Sequence, residues 1–213
     1  MTGVVALAAA AVSIGALHAL APDHWLPIAA VARARGWSRR RTAQVTALCG
    51  LGHVTVSVAL GLLALLVGRE VIEAVGRPLE SAAGLLLVAF GAAYALWGLR
   101  RGAARLHGHQ HQHYDHVHQP GRATIGALVF IYALDPCVAL IPILLAATLL
   151  GAPATVGVVL LYEVAAIGAM IGLVLAARAG ARALSWSWLE RWPDAAAGTV
   201  IVAAGLAVAL LGI

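Results

Sequence analysis

Apolar residues in this chain come in long unbroken runs, and the charged residues gather between them. Runs of this kind predict membrane-spanning helices, each needing about 20 residues to cross a hydrocarbon layer about 30 Å thick. Breaks and charges place spans near residues 3–32, 43–67, 79–99, 123–150, 154–177 and 195–213. The first and fourth are too long for one straight crossing, and each holds two prolines, Pro22 with Pro27 and Pro136 with Pro142. Proline lacks an N–H and clashes with the carbonyl four residues earlier, so both spans are expected to be broken helices. The expected fold class is therefore an all-α integral membrane protein with six transmembrane helices in a single membrane domain, 1–213. The run from Val4 to Leu20 has no Lys or Arg ahead of it, unlike a cleaved signal peptide, and is read as a mature helix.

The two broken spans echo each other. His18-Ala-Leu-Ala-Pro-Asp-His-Trp-Leu-Pro27 is similar to Tyr132-Ala-Leu-Asp-Pro-Cys-Val-Ala-Leu-Ile-Pro142, and the next polar residues follow at like distances, His53 at 30 residues after Asp23 and Glu163 at 28 after Asp135. The echo lies three spans on, an odd number, so the halves would run in opposite directions through the membrane, as in inverted-repeat transporters. This places repeat one at about 1–100, a loop at about 101–122 and repeat two at about 123–213.

Composition agrees with the bilayer as solvent: 62% of residues are hydrophobic and 11% charged, against about 45–50% and 25% in soluble domains. All 14 basic residues are Arg, and they sort by position. Arg33, Arg35, Arg39, Arg40 and Arg41, then Arg100, Arg101, Arg105 and Arg122, then Arg178, Arg182 and Arg191 fall on one side, against Arg69 and Arg77 on the other. The positive-inside rule puts the first three groups in the cytoplasm of a cell (inner or plasma) membrane, with both termini outside. The net charge of +5 thus reports topology and implies no nucleic-acid partner. Trp186, Trp188 and Trp192 are expected in an interfacial helix. Met170 with the Gly168-x3-Gly172 pair reads as a helix contact.

Inside the spans lie His18, Asp23, His24, His53, Asp135 and Glu163, with no Lys in the chain and no Arg except near span ends. An acid ionised at the bilayer centre costs about 2.5–3.5 kcal/mol on the insertion scale, so these are either protonated or paired with a bound cation. Pro22 should loosen the helix between His18 and His24, letting His18, Asp23 and His24 converge although spacings of five and six do not share a regular helix face. In the second span Thr42, Thr46, Cys49, His53 and Ser57 form a polar stripe, with Gly50 and Gly52 permitting close helix approach. Imidazole and carboxylate, with thiolate as a further donor, suit Ni, Co, Zn or Cu and suit Mg or Ca poorly. Cys49 and Cys137 are free thiols, a redox pair or metal ligands, Cys49 reading most simply as packing. Glu163 is either a protonated hydrogen-bonding residue or part of an ion path.

His18-x4-Asp23-His24 resembles the His-x4-Asp-His signature of the nickel/cobalt transporter superfamily, and Leu51-Gly52-His53-Val54-Thr55 resembles its Leu-Gly-His segment. The wording from Leu17 to His24 is closest to the superfamily's urease-accessory-type membrane proteins. The resemblance covers about the first 60 residues and, more weakly, the fourth span, where Pro136-Cys137 stands in place of the family's Thr; the eight-span members are also longer than this chain. It implies that His18, Asp23, His24 and His53 recognise Ni²⁺ or Co²⁺ in transit. The loop from His107 to His118 holds six of the nine histidines, reads as a metal collector or buffer by composition, and is similar to the His-rich cytoplasmic loop of efflux members.

The sequence thus points to a non-enzymatic carrier of a divalent transition metal, nickel or cobalt before zinc or copper, with no permanently bound cofactor. His18, Asp23, His24 and His53 would hold the ion, and Asp135, Cys137 or Glu163 would complete its path. Direction is open. The expected partners are the metal ion and the bilayer, with a homo-oligomer or a cytoplasmic metallochaperone left open. Two other readings stand beside it. One is a membrane thiol–disulfide electron carrier of the cytochrome c biogenesis type, suggested by Pro136-Cys137 in a broken helix. The other is a metal-delivery accessory protein.

Overall fold

The computed structural model describes residues 2–67, 69–107, 120–135, 137, 139–183 and 191–211. Among these the chain is all helical, with α1 (Thr2–His18), α2 (Pro22–Ala34), α3 (Arg39–Val67), α4 (Arg69–His107), α5 (Pro120–Leu134), α6 (Leu140–Thr148), α7 (Ala152–Ala183) and α8 (Pro193–Leu211). Among the described residues, four stretches are long and apolar enough to cross a membrane: Arg39–Leu63, Ser81–Ala103, Ala152–Gly180 and Pro193–Leu210. The helices α1 and α2 pass the same test as a pair bent by 51°.

The bend follows from Pro22. Ala21 before it takes the extended conformation (φ −55°, ψ 130°) that proline imposes on its predecessor. The carbonyl of His18, which cannot receive an N–H from Pro22, accepts one from Ala21 at 3.1 Å instead. Pro22 then opens α2 at the position where a missing N–H costs nothing. A second interruption separates α5, ending at Leu134, from α6, starting at Leu140.

The span expected at 79–99 falls on the apolar stretch Ser81–Ala103 of α4, while the helix itself begins at Arg69, keeps Pro78 inside and runs to His107. Hydropathy marks the part of a helix that hydrocarbon can solvate, not the point where the backbone ladder stops, so a helix continuing into polar sequence escapes it.

The most extensive packing is between α4 and α8. They run antiparallel with Gly84, Gly91 and Gly98 set against Ala209, Val202 and Ala195. A Cβ on Gly91 would sit 2.7 Å from the backbone nitrogen of Val202 and 2.8 Å from the carbonyl oxygen of Gly198, so only glycine lets these backbones touch. At one end of this pair Arg35, at the end of α2, donates from Nε to Tyr94 Oη at 2.7 Å, and Tyr94 donates to Asp194 Oδ1 at 2.9 Å. The Arg35 guanidinium also lies 4.6 Å from the Trp97 ring centre, so α2 is tied to both α4 and α8. Large apolar side chains such as Leu66, Val164 and Leu210 face outward, as they do where lipid is the solvent.

Among the described residues, the Gly168-x3-Gly172 pair meets no other helix of the chain. Both glycines are exposed, with open space where a Cβ would stand, while Met170 between them is buried against Gly50. Residues two apart on a helix differ by about 200° in direction, so the buried methionine turns its glycine neighbours outward.

Placing a methyl group at Gly91 and at Gly168 should therefore have opposite effects. Gly91→Ala must push α4 and α8 apart and is expected to lower stability by about 1–3 kcal/mol. Gly168→Ala meets nothing and should gain about 0.5–1 kcal/mol of helix propensity. Thermal unfolding of the two variants in detergent checks this; equal shifts would refute the close-packed seam.

Candidate metal centre

His18 is the last residue of α1, Asp23 and His24 stand in the first turn of α2, and His53 lies midway along α3. The bend brings together what a straight helix would scatter. The His18 and His24 ring centres are 4.4 Å apart, His24 and His53 are 5.0 Å apart, and His18 stacks on His53 at 5.6 Å. Ligand atoms of His18, His24 and His53 fall within 4.8 Å of one another, and so do those of Asp23, His24 and Asp135. The structure thus joins His18, Asp23, His24 and His53 with Asp135 from the interruption between α5 and α6. Asp23, His24 and His53 are buried.

The atoms are poorly satisfied by the protein. His24 Nδ1 lies 3.0 Å from Asp23 Oδ2 without the alignment of a hydrogen bond. Among the described residues, Asp23 Oδ1, both nitrogens of His24 and Nδ1 of His53 are buried with no hydrogen bond of good geometry. Each such atom costs about 1–3 kcal/mol unless something else satisfies it. His18 Nε2 and His53 Nε2 are 3.4 Å apart. Two nitrogens bound at about 2.0–2.1 Å to one tetrahedral ion are separated by about 3.3 Å, so the pair already has the spacing of neighbouring ligands.

Neighbouring groups hold this geometry. Pro27 has no N–H for the Asp23 carbonyl, and the Tyr132 hydroxyl fills the gap, standing 2.8 Å from the Asp23 oxygen and 3.0 Å from that of His24. On α3 the polar stripe faces inward: Thr42, Thr46, Cys49, His53 and Ser57 are all buried. Thr46 bonds back to the Thr42 carbonyl at 2.8 Å and Ser57 to that of His53 at 2.7 Å. Ser57 Oγ also accepts the Cys137 N–H at 2.7 Å, which ties the turn holding His53 to a backbone position two residues beyond Asp135.

Cys137 and Glu163 join neither ligand group. The Cys137 thiol lies 2.7 Å from the Tyr162 hydroxyl, and Glu163 is half-buried on α7. Both cysteines are free, Cys49 in the packed cluster around Ile28 and Leu128 and Cys137 in a separate one around Leu140 and Tyr162. The His-rich tract over 108–119, with Trp186 and Trp188, lies outside the described residues. Sequence reasoning had not given Tyr132 a part in the site. The available signal was its place in the echo, where it stands for His18. Three imidazoles and two carboxylates around buried, unsatisfied atoms form a donor set for a borderline divalent cation. Comparison of the chain with models of known families, with curated proteins and with solved structures gives no match.

Tyr132→Phe removes the only hydrogen-bond donor described for the Asp23 carbonyl. Metal affinity is expected to fall by about 10-fold or more, as when a group that orients ligands is lost. Titration of the purified variant with cobalt would show this, and an unchanged affinity would deny Tyr132 its orienting role.

Proposed function

We propose that this chain is a membrane carrier for a divalent transition-metal ion, nickel or cobalt first, and that His18, Asp23, His24 and His53 with Asp135 hold the ion in transit. One observation carries the reading: buried imidazole and carboxylate atoms without hydrogen bonds converge where two helices are broken, inside a bundle of membrane-type helices. In the proposed architecture six spans form two inverted halves, with α1–α2 and α5–α6 as the broken members, and the three Arg-rich loops face the cytoplasm. Movement at the two helix breaks would expose the site to each side in turn. The His-rich tract would gather metal at the cytoplasmic mouth. The separate settings of Cys49 and Cys137 lend no support to a thiol–disulfide carrier.

Ligation requires neutral imidazole, so protons should compete with the ion for the site. The test is cellular metal content in cells producing wild type or His24→Ala, grown separately in low levels of nickel, cobalt, zinc and copper. A change in nickel or cobalt that His24→Ala abolishes is expected, and its sign gives the direction. No change for any metal would reject the carrier.

A further inference from the structure

The ligand groups overlap at one residue. His18, His24 and His53 offer only nitrogen, whereas Asp23, His24 and Asp135 offer two carboxylates and the same imidazole. Neutral imidazole has a single lone pair, its other nitrogen carrying a proton, so it ligates one metal ion at a time. His24 therefore cannot complete both groups together.

We infer that the centre is two alternative sites sharing His24, an imidazole site and a carboxylate site, between which one divalent cation passes. This rests on the carrier reading and adds a step inside it. The two sites differ in the chain segments that build them. The imidazole site draws on α1, α2 and α3, while the carboxylate site draws on α2 and the interruption after α5. Movement of the α5–α6 break relative to α3 would change one site without dismantling the other. The orphaned atoms fit this division, with His53 Nδ1 in the first group, Asp23 Oδ1 in the second and both His24 nitrogens lacking hydrogen bonds between them. The chemistry also orders the sites. Three imidazoles grip a borderline cation firmly, and carboxylates bind it through harder oxygen, from which exchange with water is easier. A carrier needs both properties, a site selective enough to choose the ion and one weak enough to release it.

The full-length chain with His107, His109, His111, His113, His116 and His118 changed to Gln keeps the tract out of the measurement. Cobalt alone serves as the probe. Bound cobalt is counted per chain, its imidazole ligands are counted by X-ray absorption, and flux is followed into liposomes containing a cobalt-quenched dye. The parent is expected to bind one cobalt. Asp135→Asn should still bind one cobalt with three imidazoles while flux falls about 10-fold or more. His53→Ala should bind one cobalt more weakly, through a single imidazole and oxygen ligands. His18→Ala probes the same group should His53→Ala fail to fold, and Asp23→Asn stands in likewise for Asp135→Asn. Two cobalt ions per parent chain would overturn the shared histidine. Loss of binding in both variants, or the same coordination in both, would make the centre a single site and overturn the inference while leaving the carrier intact. A parent that neither binds nor moves cobalt, nickel, zinc or copper would reject the carrier reading itself, and the two-site inference with it.

Discussion

The carboxylate of Asp23 is buried among apolar helices in a chain without lysine, and much of the architecture around it answers that one cost. An anion in a low-dielectric interior is retained only if something neutralises and solvates it. The positive end of α2 helps, because Asp23 lies in its first turn where the helix dipole favours negative charge. His24, 3.0 Å away, is the adjacent side chain able to carry a proton. A proton on His24 and a cation shared by His24 and Asp23 are alternative answers to the same charge. A metal ion held here would therefore displace that proton, coupling its binding to proton release.

Holding two such residues near His18 and His53 demands a backbone that departs from a straight helix at the right place. The two prolines of the first span act differently. Pro22 breaks the ladder and turns α2 away from α1, while Pro27 leaves α2 helical and frees one carbonyl, that of Asp23, for the Tyr132 hydroxyl. The broken segment is thus anchored by a residue from the other broken segment, one turn before its own interruption. Ser57 makes the reciprocal tie, bonding to the His53 carbonyl and to the amide of Cys137.

Much of this was legible in the residues. Long apolar runs marked the helices, the prolines marked both interruptions, and Pro22 marked the convergence of His18, Asp23 and His24, because each signal is local. What escaped was either non-local or hidden by the solvent criterion. Tyr132 and Arg35 act on partners about a hundred residues or several helices away, Tyr132 on Asp23 and His24 and Arg35 on Tyr94 and Asp194. Arg35 had been read only as a topological charge. The extension of α4 back to Arg69 is not marked by hydropathy, because polarity says nothing about backbone pairing. Gly168 and Gly172 show the converse, since small residues four apart suit a helix contact but do not specify which face finds a partner.

The distribution of close contacts also constrains where this bundle can deform. Along α4 and α8 backbone meets backbone at Gly91 and Gly198, with further glycine contacts at Gly84, Gly98 and Gly205. Sliding or separating these helices would lose many short-range contacts at once, so they behave as one body. Arg35 couples the far end of α2 to that body through Tyr94, Asp194 and Trp97. The near end of α2, bearing Asp23 and His24, follows a break of only a few residues after α1, and the α5–α6 interruption faces it with Asp135. Deformation is cheapest where the helical ladder is already interrupted, because no intact run of backbone hydrogen bonds has to be given up there. In the proposed carrier, motion that opens or closes the centre would therefore fall to α1 and the α5–α6 segment moving against the α2–α4–α8 unit, with the candidate ligands at the seam between them.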